Sequence, residues 1–174
     1  MSVQTPYTAD LAGREPIAAL RETAERIGAL TGDWTPSQFE RTYAPGKWSA
    51  RQILIHLAQT EIALGCRARM ALATPGYTAQ PFDQDQWIAL ESGSSGRAAA
   101  ETLTALNAMN RSLFASLSAA DRARPFSHPE YGVLTVDWLV HQMAGHLLHH
   151  LKQLEMIASM RTYCSRRRPA SSGA

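Results

Sequence analysis

Apolar residues recur every three or four positions along four separate stretches of this chain, the spacing of helices that each bury one face. The first stretch runs from about Glu15 to Leu30, with Leu20, Ala24, Ile27 and Leu30 as its stripe. Pro16 falls in the opening turn, where its missing N–H costs nothing, and Gly32 follows the end. The second opens at Trp48-Ser49, with Ser49 as the cap, and continues to about Leu72, just before Pro75-Gly76. Its stripe is Ile53, Leu57, Leu64 and Ala71. The third, from about Arg97 to Leu117, turns Leu103, Leu106, Met109, Leu113 and Leu117 inward. The fourth is capped by Thr135 or Asp137 and extends to about Met160. Between them, Thr35-Pro36 opens a short segment, a short piece surrounds Trp87–Leu90, and "HPEYGVLTVDW" reads as a loop. Strand patterns are nearly absent. The expectation is an all-α four-helix bundle over residues 15–160, an N-terminal extension at 1–14 and a basic flexible tail at 161–174.

Composition narrows the function classes. A chain of 174 residues, 45% hydrophobic and 18% charged, suits one ordinary globular domain. The net charge of +2 owes much to Arg166, Arg167 and Arg168, and no basic stripe interleaved with aromatics occurs elsewhere, so no nucleic-acid partner is expected. No apolar run approaches the roughly 20 residues needed to span a bilayer, so no membrane partner is expected either. Two distant cysteines, Cys66 and Cys164, and a beginning unlike a signal peptide point to a reducing cytoplasm.

The candidate chemistry lies in "HQMAGHLLHH", which holds four of the six histidines. At about 100° per residue, Leu139, Met143, Leu147, Leu151, Leu154 and Ile157 define the apolar side of the fourth helix. His150 falls inside that arc and His146 at its edge one turn earlier, a spacing that lets two imidazoles on one helix face a shared ion. His149 falls outside, as a group that could hydrogen-bond behind the ligands or stand at the pocket rim, and His141 points to solvent. On the second helix His56 lies at the edge of the stripe, in line with Ser49, Gln52, Thr60 and Arg67. Hydrogen-bonded core histidines would follow the same pattern, so a metal site and a polar core both remain open at this point.

The segments "GKWSARQILIHLAQTE", "PFDQDQW" and "HPEYGVLTVDWLVHQMAGHLLHHLKQLEMI" resemble the DinB/YfiT-like metalloprotein superfamily, in particular its DinB_2-type branch, from about residue 15 to 160. The resemblance implies a four-helix bundle in which three histidines bind one divalent metal ion, with water usually completing the shell. The positions matching those ligands are His56, His146 and His150. Some members carry a further histidine one turn before the first of the final pair; here that position is Gln142, and His141 is out of register with it.

Three neutral imidazoles suit nickel or zinc. Gln52, Gln142 and Gln153 are candidates to orient the ligands, and Glu61 is the least favoured, expected instead to contact an arginine. The resemblance implies either a metal-dependent hydrolase or a thiol-dependent transferase with a low-molecular-weight thiol as co-substrate and a small molecule as substrate. The sequence shows no inward carboxylate to serve as general base for water, which favours thiol transfer. Asp83 and Asp85 could fill that role but more often form turns. Arg67 could hold an anionic substrate group or pair with a neighbouring helix, and Trp48, Trp87, Tyr131 and Trp138 could line a pocket or the core. His128 reads as a loop hydrogen-bonder. A non-catalytic metal-binding stress-response module is the third reading. Trp48, Ile55, Ile62 and Cys66 form a second apolar side on the second helix; together with the habit of the resembled family, this gives the expectation of a homodimer.

Overall fold

The computed structural model describes residues 3–165. Four long helices form the body: α2 (Pro16–Thr31), α4 (Ala50–Ala73), α6 (Gly96–Ser116) and α8 (Val136–Ser165), with α1 (Thr8–Leu11), α3 (Pro36–Phe39), α5 (Gln84–Leu90) and α7 (Ala119–Arg122) as short pieces. Each long helix starts where a side chain satisfies its free N–H groups. The Glu15 carboxylate accepts from the Ile17 and Ala18 N–H groups, and Ser49 and Gln52 form a capping box on α4. Ser95 accepts from the Ala98 N–H, and the Thr135 hydroxyl accepts from that of Trp138.

The packing places α4 against α6 and α8, and α2 against the same two helices, so α2 and α4 are diagonal partners. The connection through α3 therefore crosses the end of the bundle instead of joining neighbours. Leu20 and Ile27, Ile53 and Leu57, Leu103 and Phe114, and Leu139, Leu147 and Leu154 fill the centre. The consequence for function is that the inner faces of α4 and α8 meet.

Two sequence expectations change, in the loop before α8 and on the inward face of α6. The loop expected around "HPEYGVLTVDW" contains an antiparallel hairpin of β1 (Pro125–His128) and β2 (Gly132–Thr135), in the register Phe126↔Leu134 and His128↔Gly132. Four-residue strands are too short to show alternation, and Gly132 takes the positive φ of 73° that the turn requires. On α6, Met109 is 53% exposed, and the inward line is Leu103, Asn107, Asn110 and Phe114. Polar residues occupy the face because they satisfy a buried carboxyl group: Asn107 and Asn110 donate to the Glu61 side chain at 3.0 and 2.7 Å. Residues of the expected extension are part of the bundle's surface, since α1 packs on α8 with Leu11 buried, and Lys152 donates to Asp10 at 2.8 Å. Of the expected tail, α8 continues through Ser165 and residues 166–174 lie outside the described residues. No helix among the described residues is long and apolar enough to cross a membrane.

Candidate metal centre

The α4–α8 contact brings three histidines to one point. The Nε2 atoms of His56 and His146 are 3.0 Å apart, as are those of His150 and His146. All three rings are buried, and their donor atoms lie within 4.8 Å of one another. Two imidazole nitrogens bonded at about 2.0–2.1 Å to one ion, with about 90–110° between the bonds, are about 3 Å apart. The observed spacing fits that requirement.

Protonation fits it as well. Burial holds His56 down to about 4, with Asp85 opposing weakly, and burial together with neighbouring histidines holds His150 down to about 3. His146 lies well below its ordinary range, through burial first and then the repulsion of His150, His56 and His149. Near neutral pH each ring is therefore uncharged and keeps a lone pair. The His150 Nδ1–H donates to the Gln153 Oε1 at 2.8 Å, which leaves the lone pair on Nε2, facing the cluster. One proton on His146 Nε2 would satisfy one of its two 3.0 Å contacts well; a cation satisfies all three nitrogens together.

The surroundings sort the remaining candidates. Trp48 lies against His56 with ring centroids 4.9 Å apart, stacks on His150 at 6.3 Å, and donates to Asp85. His149 is half-exposed, where its Nε2 accepts from the Gln153 amide and its ring meets Tyr7. Gln142 lines a cleft beside the histidines, and its Oε1 is buried without a hydrogen-bond partner among the described residues. Gln52 is not available to orient a ligand, because its Oε1 accepts from the Ser49 N–H at 2.9 Å. Asp83 caps α5 by accepting from the Asp85 and Gln86 N–H groups. Trp87 packs on Phe82, and its carbonyl accepts from Gln59. His141 is half-buried, not solvent-facing, and its Nδ1–H donates to the Asp137 carbonyl. Glu61 faces α6, away from the cluster, with asparagines as its direct partners in place of the expected arginine.

The cleft has a volume of about 270 Å³ and reaches from His56 and His146 along α4 to Arg67, with Tyr131 and Trp138 on its wall. Tyr7 also lines it, with its ring 5.0 Å from that of His146. Sequence spacing gave no sign of Tyr7, which approaches from the far end of the chain. Its approach depends on Gly145: a Cβ there would lie 2.6 Å from the Tyr7 carbonyl oxygen.

A four-helix bundle with three neutral imidazoles converging between two helices defines a class of metal-binding helical proteins. The chain belongs to the DinB superfamily, whose profile matches residues 19–154. Two relatives named "Putative metal-dependent hydrolase" from Oceanobacillus iheyensis are each 26% identical, over 75% of this chain and 77% of one relative, and over 77% and 78% for the other. YfiT from Bacillus subtilis, described as a probable metal-dependent hydrolase with an unusual four-helix bundle topology, superposes with a TM-score of 0.77 at 21% identity, over 84% of this chain and 86% of that one. A mycothiol-dependent maleylpyruvate isomerase shares the fold with a TM-score of 0.68 at 16% identity, over 94% of this chain and 72% of that one.

Proposed function

We propose that this chain is a metal-dependent enzyme in which His56, His146 and His150 hold one nickel or zinc ion, and that it transfers a low-molecular-weight thiol to a small electrophile. The observation that carries the reading is the convergence of three uncharged nitrogens at the end of a cleft where, among the described residues, no carboxylate contacts them. A divalent ion would supply Lewis acidity there, favouring the deprotonated form of a thiol or of water.

The chain's own groups favour the thiol. Water attack needs a base within hydrogen-bond reach of the proton it removes. Asp85 is engaged with the Trp48 indole, and Glu130, the carboxylate that lines the cleft, is on the hairpin turn. A thiol, with an ordinary pKa near 8.5, ionises close to neutrality without such a base. Gln153 orients His150, Tyr7 and Trp138 cover the cleft, and the free Gln142 Oε1 accepts from a donor on the bound reactant. The same reading puts the protein in a reducing cytoplasm, which the exposed free Cys66 suits.

The competing reading is hydrolysis, favoured by the names of the relatives. Elemental analysis, followed by thiol–electrophile, ester and amide panels with His150→Ala as control, separates them. About one ion per chain and thiol-dependent turnover lost in the variant are expected. Ester or amide turnover without thiol dependence moves the assignment to hydrolysis, and a metal-free purified protein that takes up no ion refutes both.

A homodimer belongs to the same proposal on reduced grounds. Ile55 is buried within the chain and Trp48 lies on the histidines, leaving Ile62, Met70 and Met109 exposed on α4 and α6. A monomer mass by light scattering at micromolar concentration would end it.

A further inference from the structure

The end of the cleft remote from the histidines carries a cation that, among the described residues, has no carboxylate in direct contact. Arg67 is 9% exposed and lies eleven residues beyond His56 on α4. Its guanidinium donates to the Gln80 carbonyl and lies 5.7 Å from the centre of the Phe82 ring. Among the described residues it forms no ion pair. Arginines this buried are rare unless paired. Burial lowers its pKa from the ordinary value, yet a guanidinium stays charged throughout the physiological range.

Two further donors line the cleft, His128 toward its Arg67 end and Thr60 toward the histidines. The His128 Nδ1 accepts the Glu130 backbone N–H at 3.2 Å, so its proton is on Nε2. Thr60, one turn beyond His56, has a buried hydroxyl without a partner among the described residues. The arrangement is built into the backbone: Ala79 donates to the Ser127 carbonyl at 2.8 Å, and Ser127 donates to that of Tyr77 at 3.0 Å. These bonds tie the segment that carries Gln80 and Phe82 to β1, which carries His128. The groups that hold Arg67 and the neighbouring donor therefore share one rigid support.

We propose that this end of the cleft is a carboxylate-binding subsite, in which Arg67 and His128 receive a single carboxylate of a substrate whose reacting atom lies at the histidine cluster. The proposal rests on the reading of the cleft as the substrate site. Glu130 on the same cleft already bears electrostatically on Arg67 without contacting it, so the Arg67 guanidinium and the His128 N–H together have room for no more than a single carboxylate. Eleven residues of helix separate the Cα atoms of His56 and Arg67 by about 16 Å. Even with the reach of the arginine side chain, the carboxylate is several bonds from the reacting atom, which excludes a small α-substituted acid chelating the ion. Leu64, Tyr131 and Trp138 line the cleft and suit an apolar or aromatic middle section.

The test uses the full chain stripped of metal, so that a carboxylate has no ion to bind and failure of the metal reading does not affect the outcome. 4-Phenylbutyrate, the neutral 4-phenylbutanamide and phenyl phosphate are titrated by calorimetry into wild type, Arg67→Met and Arg67→Lys. Wild type is expected to prefer the acid to the amide by roughly 10- to 100-fold, the value of a charge-assisted hydrogen bond. Arg67→Met should abolish the preference, and Arg67→Lys should keep part of it. The wild-type comparison stands even if a variant does not fold. Equal binding of acid and amide, no binding at millimolar concentration, tighter binding of the phosphate, or an undiminished preference in folded Arg67→Met overturns the proposal.

Discussion

Replacing His150 by Ala should remove the metal, whereas replacing its neighbour His149 should not. The two residues differ by about 100° of helix rotation, and the structure gives that difference a physical content. The His150 ring is buried, with its Nε2 3.0 Å from that of His146, whereas the half-exposed His149 touches the site through the Gln153 amide. Gln153 is the link between them, since its Oε1 accepts the His150 Nδ1–H at 2.8 Å. Losing a partner that orients a ligand typically costs about 10–100-fold in affinity, the range expected for Gln153→Ala. His149→Ala removes an acceptor from that partner and leaves the bond to His150 intact, so its effect should stay within about 10-fold, below the Gln153 effect. His150→Ala deletes one of three donors and should exceed about 100-fold, more than about 2.7 kcal/mol. Competition against a chromophoric chelator at pH 7, with circular dichroism to verify the helices, measures all three. An order other than His150 above Gln153 above His149 refutes the reasoning, and metal loss in His149→Ala alone would mean that α8 presents a different face.

Gly145→Ala should displace the N-terminal segment, because the new Cβ would lie 2.6 Å from the Tyr7 carbonyl oxygen and 2.7 Å from its Cβ. A loss of about 1–3 kcal/mol and faster proteolysis near residue 7 are expected; an unchanged melting curve and cleavage pattern count against the contact. Asn110→Ala removes donors at 2.9 and 2.7 Å from the Glu61 carbonyl and carboxylate, and should destabilise by about 2–3 kcal/mol in urea unfolding. A loss below half a kilocalorie would show that the buried carboxylate has other support. For the metal-free protein, His56 and His150 are held at about 4 and about 3 when folded and regain the ordinary 6.5 on unfolding. The unfolded state then binds more protons, so stability should fall as the pH drops from about 6.5 toward 4. The raised pKa of Glu61 acts in the opposite direction and is common to wild type and a His56→Ala/His150→Ala variant. The variant should show the shallower fall, and equal slopes would refute this account.

Local chemistry written in the sequence decided where the long helices begin and which face each buries. Ser49 with Gln52 starts α4, Pro16 follows the Glu15 cap, and the Leu139–Ile157 stripe sets the inward side of α8. Because a helix repeats every 3.6 residues, the same arithmetic turns His146 and His150 inward and leaves His149 half-exposed. Periodicity cannot choose between competing partners for a side chain. Gln52 is drawn to its own N-cap, Asp83 to the start of α5, and Arg67 to a backbone carbonyl in place of an acid. The inward line of α6 departs from the expected Leu106 and Met109 to include Asn107 and Asn110, because Glu61 arrives from α4 to pair with them. Only the tertiary structure made α4 a neighbour of α8 and a diagonal of α2, brought Tyr7 onto His146, and joined His128 to the cleft through the hairpin. Those contacts join residues many tens of positions apart, and their cost in chain entropy is met by burying the whole bundle together, which no short window of sequence reports.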